Sequence, residues 1–128
     1  MTTRYQVKEL VANAIPMPWT TLVGKQIADI AEQVPVAIVM MDGGTYSGNM
    51  QRRDLAEVTL SIVFIYDCED EQTENDIDKA VNAVLDSPEL RKEAISLMHT
   101  QFSYDMESFA PHMSYMAQFT MVYRVSYQ

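Results

Sequence analysis

Apolar and polar residues alternate along two long segments of this chain, residues 55–66 and 115–127. A period of two places successive side chains on opposite faces of a β-strand. Both segments therefore predict long strands, which together form a sheet with one apolar face. The apolar positions are Ala56, Val58, Leu60, Ile62 and Phe64 in the first segment, and Ala117, Phe119, Met121, Tyr123, Val125 and Tyr127 in the second.

Three further segments are typical of strands. Residues 34–41, VPVAIVMM, are apolar and rich in β-branched side chains, which indicates a buried strand. Residues 19–23 are a short extended candidate. Residues 97–107 alternate again, with Met98, Thr100, Phe102, Tyr104 and Met106 on one predicted face.

Residues 42–54 contain three glycines and predict a long exposed loop between two strands. Loops of this length are uncommon within a domain and are often functional. Residues 25–33 fit either a helical turn or irregular structure.

The spacing of the remaining apolar residues predicts helices. Residues 3–15 form the first, which Pro16 and Pro18 end. Thr73 is the predicted cap of a second, amphipathic helix, and Ser87-Pro88 opens a short third helix over residues 88–96. We therefore expect an α+β fold in a single domain spanning residues 1–128. Its mostly antiparallel sheet has four to five strands, with helices packed on one face.

The charge of the chain restricts its partners. Eighteen acidic and nine basic residues give a net charge of −9, which argues against specific nucleic-acid binding and against an anionic membrane surface. Cys68 is the only cysteine, so an intrachain disulfide is excluded. The N-terminus lacks a signal-peptide core, and no apolar segment approaches the roughly 20 residues that span a bilayer. We expect a soluble protein made in the cytoplasm.

A cluster of carboxylates follows the strand over residues 55–66. Asp67, Glu69, Asp70 and Glu71 are close enough in sequence to suit a hard cation. The spacing nevertheless lacks the glycine and the distal glutamate of a calcium loop. A solvated acidic turn that leads into a helix is the favoured interpretation, and no metal site is predicted.

Cys68 is the one candidate nucleophile, with His99 or His112 as its base. The neighbouring carboxylates are expected to raise the pKa of the thiol and to reduce its reactivity. The histidines lie in no zinc-binding pattern. The sequence therefore predicts no catalytic residues and no cofactor.

Two other features suggest contact surfaces. Arg52 and Arg53 form a basic pair in the glycine-containing loop, and they are either simply solvated or contact a partner protein. The ten methionines either fill the core or form an adaptable contact surface.

The order of these segments resembles the tail terminator family of long-tailed phages, the minor tail protein U of lambda-like phages. The similarity covers most of the chain and is weakest over residues 16–33. The matching segments are, in order, VKELVANAI, VPVAIVMMDGGTYSG, LAEVTLSIVFIY, DCEDEQTENDIDKAVNAVL, SPEL, QFSYDME and AQFTMVYRVSY.

This resemblance implies a structural virion protein and not an enzyme. Members of the family form a six-membered ring that caps the tail tube, stops its growth and provides the surface for head joining. The implied partners are other copies of the chain, the tail tube protein and a head-completion or connector protein, and the implied location is the head–tail junction. DNA passes through the channel of the ring without specific binding.

By analogy, two groups of residues become candidate sites. Tyr46, Arg52 and Arg53 are predicted to contact the tube or a neighbouring subunit. Asp67, Glu69, Asp70 and Glu71 are predicted to face the channel, where negative charge repels DNA. The alternatives are a head-closure or tail-completion protein of related fold, a small-ligand-binding α+β domain with a pocket between sheet and helices, and a hydrolase that uses Cys68.

Overall fold

In the part of the chain that the structure describes, five strands form one mixed sheet and three helices accompany it. The computed structural model describes residues 3–23, 34–48 and 54–125. In chain order the elements are α1 (Arg4–Ala14), β1 (Thr20–Val23), β2 (Val36–Ser47), β3 (Leu55–Tyr66), α2 (Glu71–Asp86), α3 (Pro88–Glu93), β4 (Ala94–Asp105) and β5 (Met113–Arg124). The predicted α+β fold, with helices on one face of a mostly antiparallel sheet in a single domain, is confirmed.

The strands lie in the order β1-β2-β3-β5-β4. β1 is parallel to β2, and the other three pairs are antiparallel. β3 and β5 pair along their whole length, from Leu55 opposite Arg124 to Tyr66 opposite Met113. The two segments with the clearest alternation therefore form the centre of the sheet.

The helices cover one face of the sheet and create the main core. Side chains of α1 and α2, including Val7, Val11, Ile77 and Val81, pack on the alternate apolar positions of β3 and β5. Burial of these apolar surfaces is the main contribution to folding. A smaller apolar cluster on the opposite face comprises Val36, Ile38, Val63 and Ile65.

The second half of β3 is buried on both faces, which the alternation did not predict. Ser61 was assigned to a polar face but is fully buried, and its hydroxyl donates a hydrogen bond to the carboxylate of Asp42. This hydrogen bond satisfies the buried hydroxyl, so a polar residue is tolerated there.

The prediction that residues 42–54 form a loop is wrong for residues 42–47. β2 continues to Ser47, paired with β3 down to Leu55, after an irregularity at Asp42. Pairing with a long neighbouring strand outweighs the weak strand propensity of Gly43 and Gly44. Residues 25–33 and 49–53 lie outside the described residues.

Two helix boundaries also differ from the prediction. Asp70, and not Thr73, caps α2: its carboxylate accepts a hydrogen bond from the Thr73 N–H at 2.8 Å. α3 ends at Glu93 and β4 begins at Ala94, because β5 pairs with this segment from Tyr123 onwards. Thr3 caps α1, where Thr3 and Gln6 form a reciprocal capping box.

Candidate functional site

β4 is an edge strand whose second half projects into solvent. It pairs with β5 and has no second neighbouring strand among the described residues. All residues from Thr100 to Asp105 are exposed. Large apolar side chains in β4 and just after it remain accessible, namely Ile95, Met98, Phe102, Tyr104 and Met106. The strand therefore offers both unpaired backbone groups and apolar surface.

Two irregularities in the pairing of β4 with β5 decide which side chains share a face. They lie between Ala94 and Ser96 and between His99 and Gln101. The second one interrupts the alternation, so that Phe102 and Tyr104 face the helices while Met98 faces the opposite side. The prediction that these three residues share one face is therefore wrong.

Phe102 and Tyr104 extend an aromatic cluster that begins in the core. The ring of Trp19 meets that of Phe64 edge-on, with centroids 4.8 Å apart, and Phe64 contacts Tyr115. Tyr115 in turn stacks on Phe102 and meets Tyr104 at 5.1 Å. Aromatic pairs at these distances contribute beyond simple burial. The outer members of the cluster are held in place by inner members that are buried.

Carboxylates of α2 lie beside the outer rings. The hydroxyl of Tyr104 lies 3.0 and 3.1 Å from the two carboxylate oxygens of Glu74 and donates a hydrogen bond to it. Desolvation of the hydroxyl and this hydrogen bond raise the pKa of Tyr104 to about 12. Burial, and then the charges of Asp78 and Glu74, raise the pKa of Tyr115. We call Glu74, Phe102, Tyr104 and Tyr115 the aromatic–acidic edge.

A second surface lies at the far end of β2. Arg4, Tyr5 and Lys8 of α1 and residues of β2 and β3 line an open cleft of about 430 Å³. The Lys8 ammonium lies 5.9 Å from the centroid of the Tyr5 ring, within the range of a cation–π contact. Tyr46 forms part of the wall. We call Arg4, Tyr5, Lys8, Gly44 and Tyr46 the basic cleft.

Gly44 lets β2 and β3 approach closely beneath this cleft. A Cβ atom at this position would lie 2.3 Å from the carbonyl oxygen of Glu57 and 2.9 Å from the Cα of Val58. Only glycine fits this spacing without a shift of the backbone. The shape of the cleft floor therefore depends on the residue at position 44.

Of the three residues predicted to contact partners, the structure describes one, Tyr46. Tyr46 is in β2 with its side chain 44% exposed, and it lines the basic cleft. Arg52 and Arg53 lie outside the described residues. The basic residues that line the cleft are instead Arg4 and Lys8 of α1.

The four carboxylates predicted to face a channel are all exposed in the turn between β3 and α2 and at the start of α2. Asp67 forms a contact with the imidazole Nδ1 of His112. Asp70 caps α2, and hydrogen bonds from Thr73 lower the pKa of its carboxyl. Two of the four thus also stabilise local structure. Whether they face a channel stays a prediction.

Cys68 has no catalytic arrangement among its described contacts. It is exposed, and a hydrogen bond with Asp70 raises the pKa of its thiol, which favours the less reactive protonated form. His112 contacts Asp67, and His99 lies against the ring of Phe119. Within residues 3–23, 34–48 and 54–125, no three His, Cys, Asp or Glu side chains are grouped as metal ligands.

The aromatic–acidic edge was not predicted. Its strand was recognised, but an irregularity at Thr100 cannot be read from alternation, and Glu74 is brought to Tyr104 only by the docking of α2. The signal present in the sequence was the density of large apolar residues in a strand without lysine, arginine or proline.

No protein-family model matches this chain, and the search of curated proteins gave no match. In the part of the chain that the structure describes, none of the helices has the length and apolar character needed to cross a membrane.

Proposed function

We propose that this chain is a structural virion protein of a long-tailed phage or prophage, a tail terminator and not an enzyme. Copies of the chain form a ring, six-membered by resemblance to the terminator family. The ring caps the tail tube, ends its polymerisation and provides the surface that joins the head. Its location in this proposal is the virion, at the head–tail junction.

The exposed β4 edge is the observation that carries this proposal. Natural proteins protect edge strands with lysine, proline or a covering element. β4 contains neither lysine nor proline, is 12 residues long, and exposes large apolar residues on both of its faces. A strand of this kind is suited to pairing with another chain. A protein whose role is to assemble needs such a surface, whereas a monomeric enzyme does not.

The charge of the chain also supports the proposal. A net charge of −9 suits a ring whose channel must let DNA pass without binding it. In this proposal the turn with Asp67, Glu69, Asp70 and Glu71 lines that channel. Charge repulsion between the channel and DNA is then expected to weaken as salt rises.

The experiment that tests this function is removal of the gene from its phage. Loss of a terminator gives overlong tail tubes, because nothing stops tube polymerisation. Electron microscopy of the particles measures tube length, and addition of the purified protein to growing tubes should restore the limit. Tubes of normal length with unattached heads would reject the terminator role and favour a head-closure protein of related fold.

The ligand-binding alternative placed a pocket between the sheet and the helices. That interface is filled by side chains such as Val11, Ile77 and Phe64, which are 0–1% exposed. The cleft of about 430 Å³ lies at the edge of this interface, between α1 and the ends of β2 and β3, and it is open to solvent, so it is accessible to another protein chain. For this reason we favour assembly over metabolite binding.

A further inference from the structure

β4 is accessible along its whole length. None of its 12 residues is buried, and nine are exposed. Residues 54–125, which contain β4 and the elements beside it, are described without a gap, and β5 is the only strand that pairs with β4 among the described residues. Residues 24–33 continue from β1, which is at the opposite edge of the sheet, four strand spacings or about 19 Å away. In the described part of the chain, the outer side of β4 is therefore open to a second molecule.

One end of β4 lies beside two carboxylates of α2. Glu74 accepts the hydrogen bond from the hydroxyl of Tyr104. Burial, followed by the charge of Asp78, raises the pKa of Tyr115, which is the cross-strand partner of Tyr104. The Asp78 carboxylate is therefore also near these rings. We call Glu74 and Asp78 the acidic end of β4.

The opposite end of β4 is basic. α3 leads directly into Ala94 and carries Arg91 and Lys92 in its last turn. Both side chains are exposed, and Arg91 lies 3.7 Å from the carboxylate of Asp86 in an ion pair that is itself exposed and therefore weak. Leu90 of α3 belongs to the main core, so α3 lies on the same face of the sheet as α2. We call Arg91 and Lys92 the basic end of β4; most of the strand, about 40 Å long for 12 residues, separates it from the acidic end.

A second copy of this chain is the partner that fits these charges. If two β4 strands pair antiparallel about a two-fold axis, the acidic end of each strand lies beside the basic end of the other. Parallel pairing would place like charges together, which disfavours it. Exposed apolar side chains lie between the two ends and would be partly buried against the second copy, namely Ile95, Met98 and Phe102.

We propose that two copies of this chain form a two-fold dimer through β4, with the strands antiparallel and Thr100 of each copy near the axis. The acidic end of each copy contacts the basic end of the other, and the sheet continues across both molecules. The contact is isologous, so it closes with two copies. This inference goes beyond the proposed function, because it describes the free protein. The dimer must open before β4 can pair within a ring.

Charge reversal at each end of β4 tests the dimer. One variant has Glu74→Lys with Asp78→Lys, and the other has Arg91→Glu with Lys92→Glu. Each variant places like charges across the contact, which should weaken dimerisation by at least about tenfold. Sedimentation velocity measures dimerisation, and circular dichroism checks the fold. If reversal at the acidic end lowers thermal stability, Glu74→Gln with Asp78→Asn removes the charges, retains an acceptor for the Tyr104 hydroxyl and should still weaken dimerisation.

A chain with all four reversals should dimerise again, since the charges are exchanged and remain complementary. Each reversal has a control with the same change in net charge outside the contact. Glu9→Lys with Glu57→Lys, at exposed positions, is the control for the acidic end, and Arg4→Glu with Lys8→Glu is the control for the basic end. Both controls should dimerise like the unmodified protein. Dimerisation of both reversal variants at the control level, or no recovery in the chain with four reversals, overturns the inference.

Cross-linking tests the two-fold symmetry without a change of charge. In a Cys68→Ser background, Thr100→Cys places one thiol per copy near the axis and should give a disulfide-linked dimer on mild oxidation. Ser103→Cys is the control, because two copies of an exposed residue three positions from the axis are about 20 Å apart, too far for a disulfide. Equal cross-linking in the two chains, or none in either, overturns the proposed arrangement.

These measurements separate the dimer from the proposed function. Dimerisation that responds as expected, in a protein whose gene can be removed without a change in tube length, supports the dimer and rejects the terminator role. Overlong tubes after removal of the gene, with a purified protein that stays monomeric, support the terminator role and overturn this inference. A ring in solution that gives no Thr100→Cys cross-link also overturns it.

Discussion

The ring of Phe102 stacks on the ring of Tyr115, with centroids 5.6 Å apart and planes inclined by 15°. The two residues are not direct cross-strand partners, since Tyr115 lies opposite Tyr104 and Phe102 lies opposite Ala117. Diagonal neighbours on one face of an antiparallel pair are within reach of aromatic side chains. Tyr115 is 6% exposed and Phe102 is 60% exposed. The stack thus connects the core to β4, the last strand of the sheet in the part of the chain that the structure describes.

Phe102→Ala should weaken assembly with little effect on folding. Because most of the Phe102 ring faces solvent, we expect the free energy of unfolding to fall by about 1 kcal/mol or less. Self-association should fall much more, because the exposed ring lies on the edge strand through which the proposed assembly pairs chains. Urea denaturation measures the free energy of unfolding, and sedimentation velocity measures self-association.

Met17→Ala is the control for this substitution, since it removes an even more exposed apolar side chain away from β4. Met17→Ala should change neither the free energy of unfolding nor self-association measurably. If Phe102→Ala lowers stability strongly and leaves self-association unchanged, Phe102 has a structural role and not a binding one.

Gly44→Ala should destabilise the β2–β3 pair. The added methyl group would lie 2.3 Å from the Glu57 carbonyl oxygen, so the backbone must move. We expect a loss of about 1–3 kcal/mol in the free energy of unfolding. Thr45→Ala, at the exposed neighbouring position, should cost less than about 1 kcal/mol. Equal losses in the two variants, measured by urea denaturation, would contradict the close approach of the strands at Gly44.

Asp70→Ala should destabilise α2, because the Thr73 N–H loses its acceptor. Asp70→Asn retains an acceptor oxygen and should be much closer to the unmodified protein at neutral pH. The midpoint of urea denaturation provides the comparison. If both variants lower the urea midpoint by a similar amount, the charge of Asp70 stabilises α2 and the capping hydrogen bond does not.

The difference in stability between Asp70→Asn and the unmodified protein should depend on pH. Hydrogen bonds from Thr73 lower the pKa of Asp70 in the folded state, so this carboxylate contributes stability above the unfolded pKa, which is about 4. That contribution is lost as the pH falls through the folded pKa. Asp70→Asn, which does not titrate, should therefore lose less stability than the unmodified protein between neutral pH and about pH 3.

Tyr66→Phe should stabilise the protein. The hydroxyl of Tyr66 is buried and has no hydrogen-bond partner within the part of the chain that the structure describes. Removing an unsatisfied buried hydroxyl is expected to raise the free energy of unfolding by about 1 kcal/mol. Tyr104→Phe is the control, since it removes a hydroxyl that donates to Glu74, and it should not stabilise the protein.

Alkaline pH should enlarge the difference between Tyr66→Phe and the unmodified protein. Burial, and then the charges of Glu69 and Glu74, raise the pKa of Tyr66 to about 12. A tyrosine with a raised folded pKa contributes stability that is present below the unfolded pKa of about 10 and is lost as pH rises through the folded value. Urea midpoints measured from pH 9 to pH 12 should therefore fall less for Tyr66→Phe. Identical pH profiles would contradict the burial of the Tyr66 hydroxyl.

The elements that depend on local pattern were predictable from the order of residues alone. The alternation in residues 55–66 predicted β3 with its observed limits, Leu55–Tyr66. Apolar spacing predicted α1 and α2, and Ser87-Pro88 predicted the start of α3. These features were predictable because side-chain period, caps and proline geometry act within a few residues of the chain.

The surfaces that these elements form depend on how the strands pair and the helices pack. Pairing with β3 extended β2 through Gly43 and Gly44, and an irregularity at Thr100 turned Phe102 and Tyr104 towards α2. The docking of α2 then brought Glu74 to Tyr104. Each of these outcomes depends on contacts between residues distant in sequence. Strand register, pairing irregularities and helix docking are set by such contacts and by the entropy of closing long loops, which no local pattern encodes.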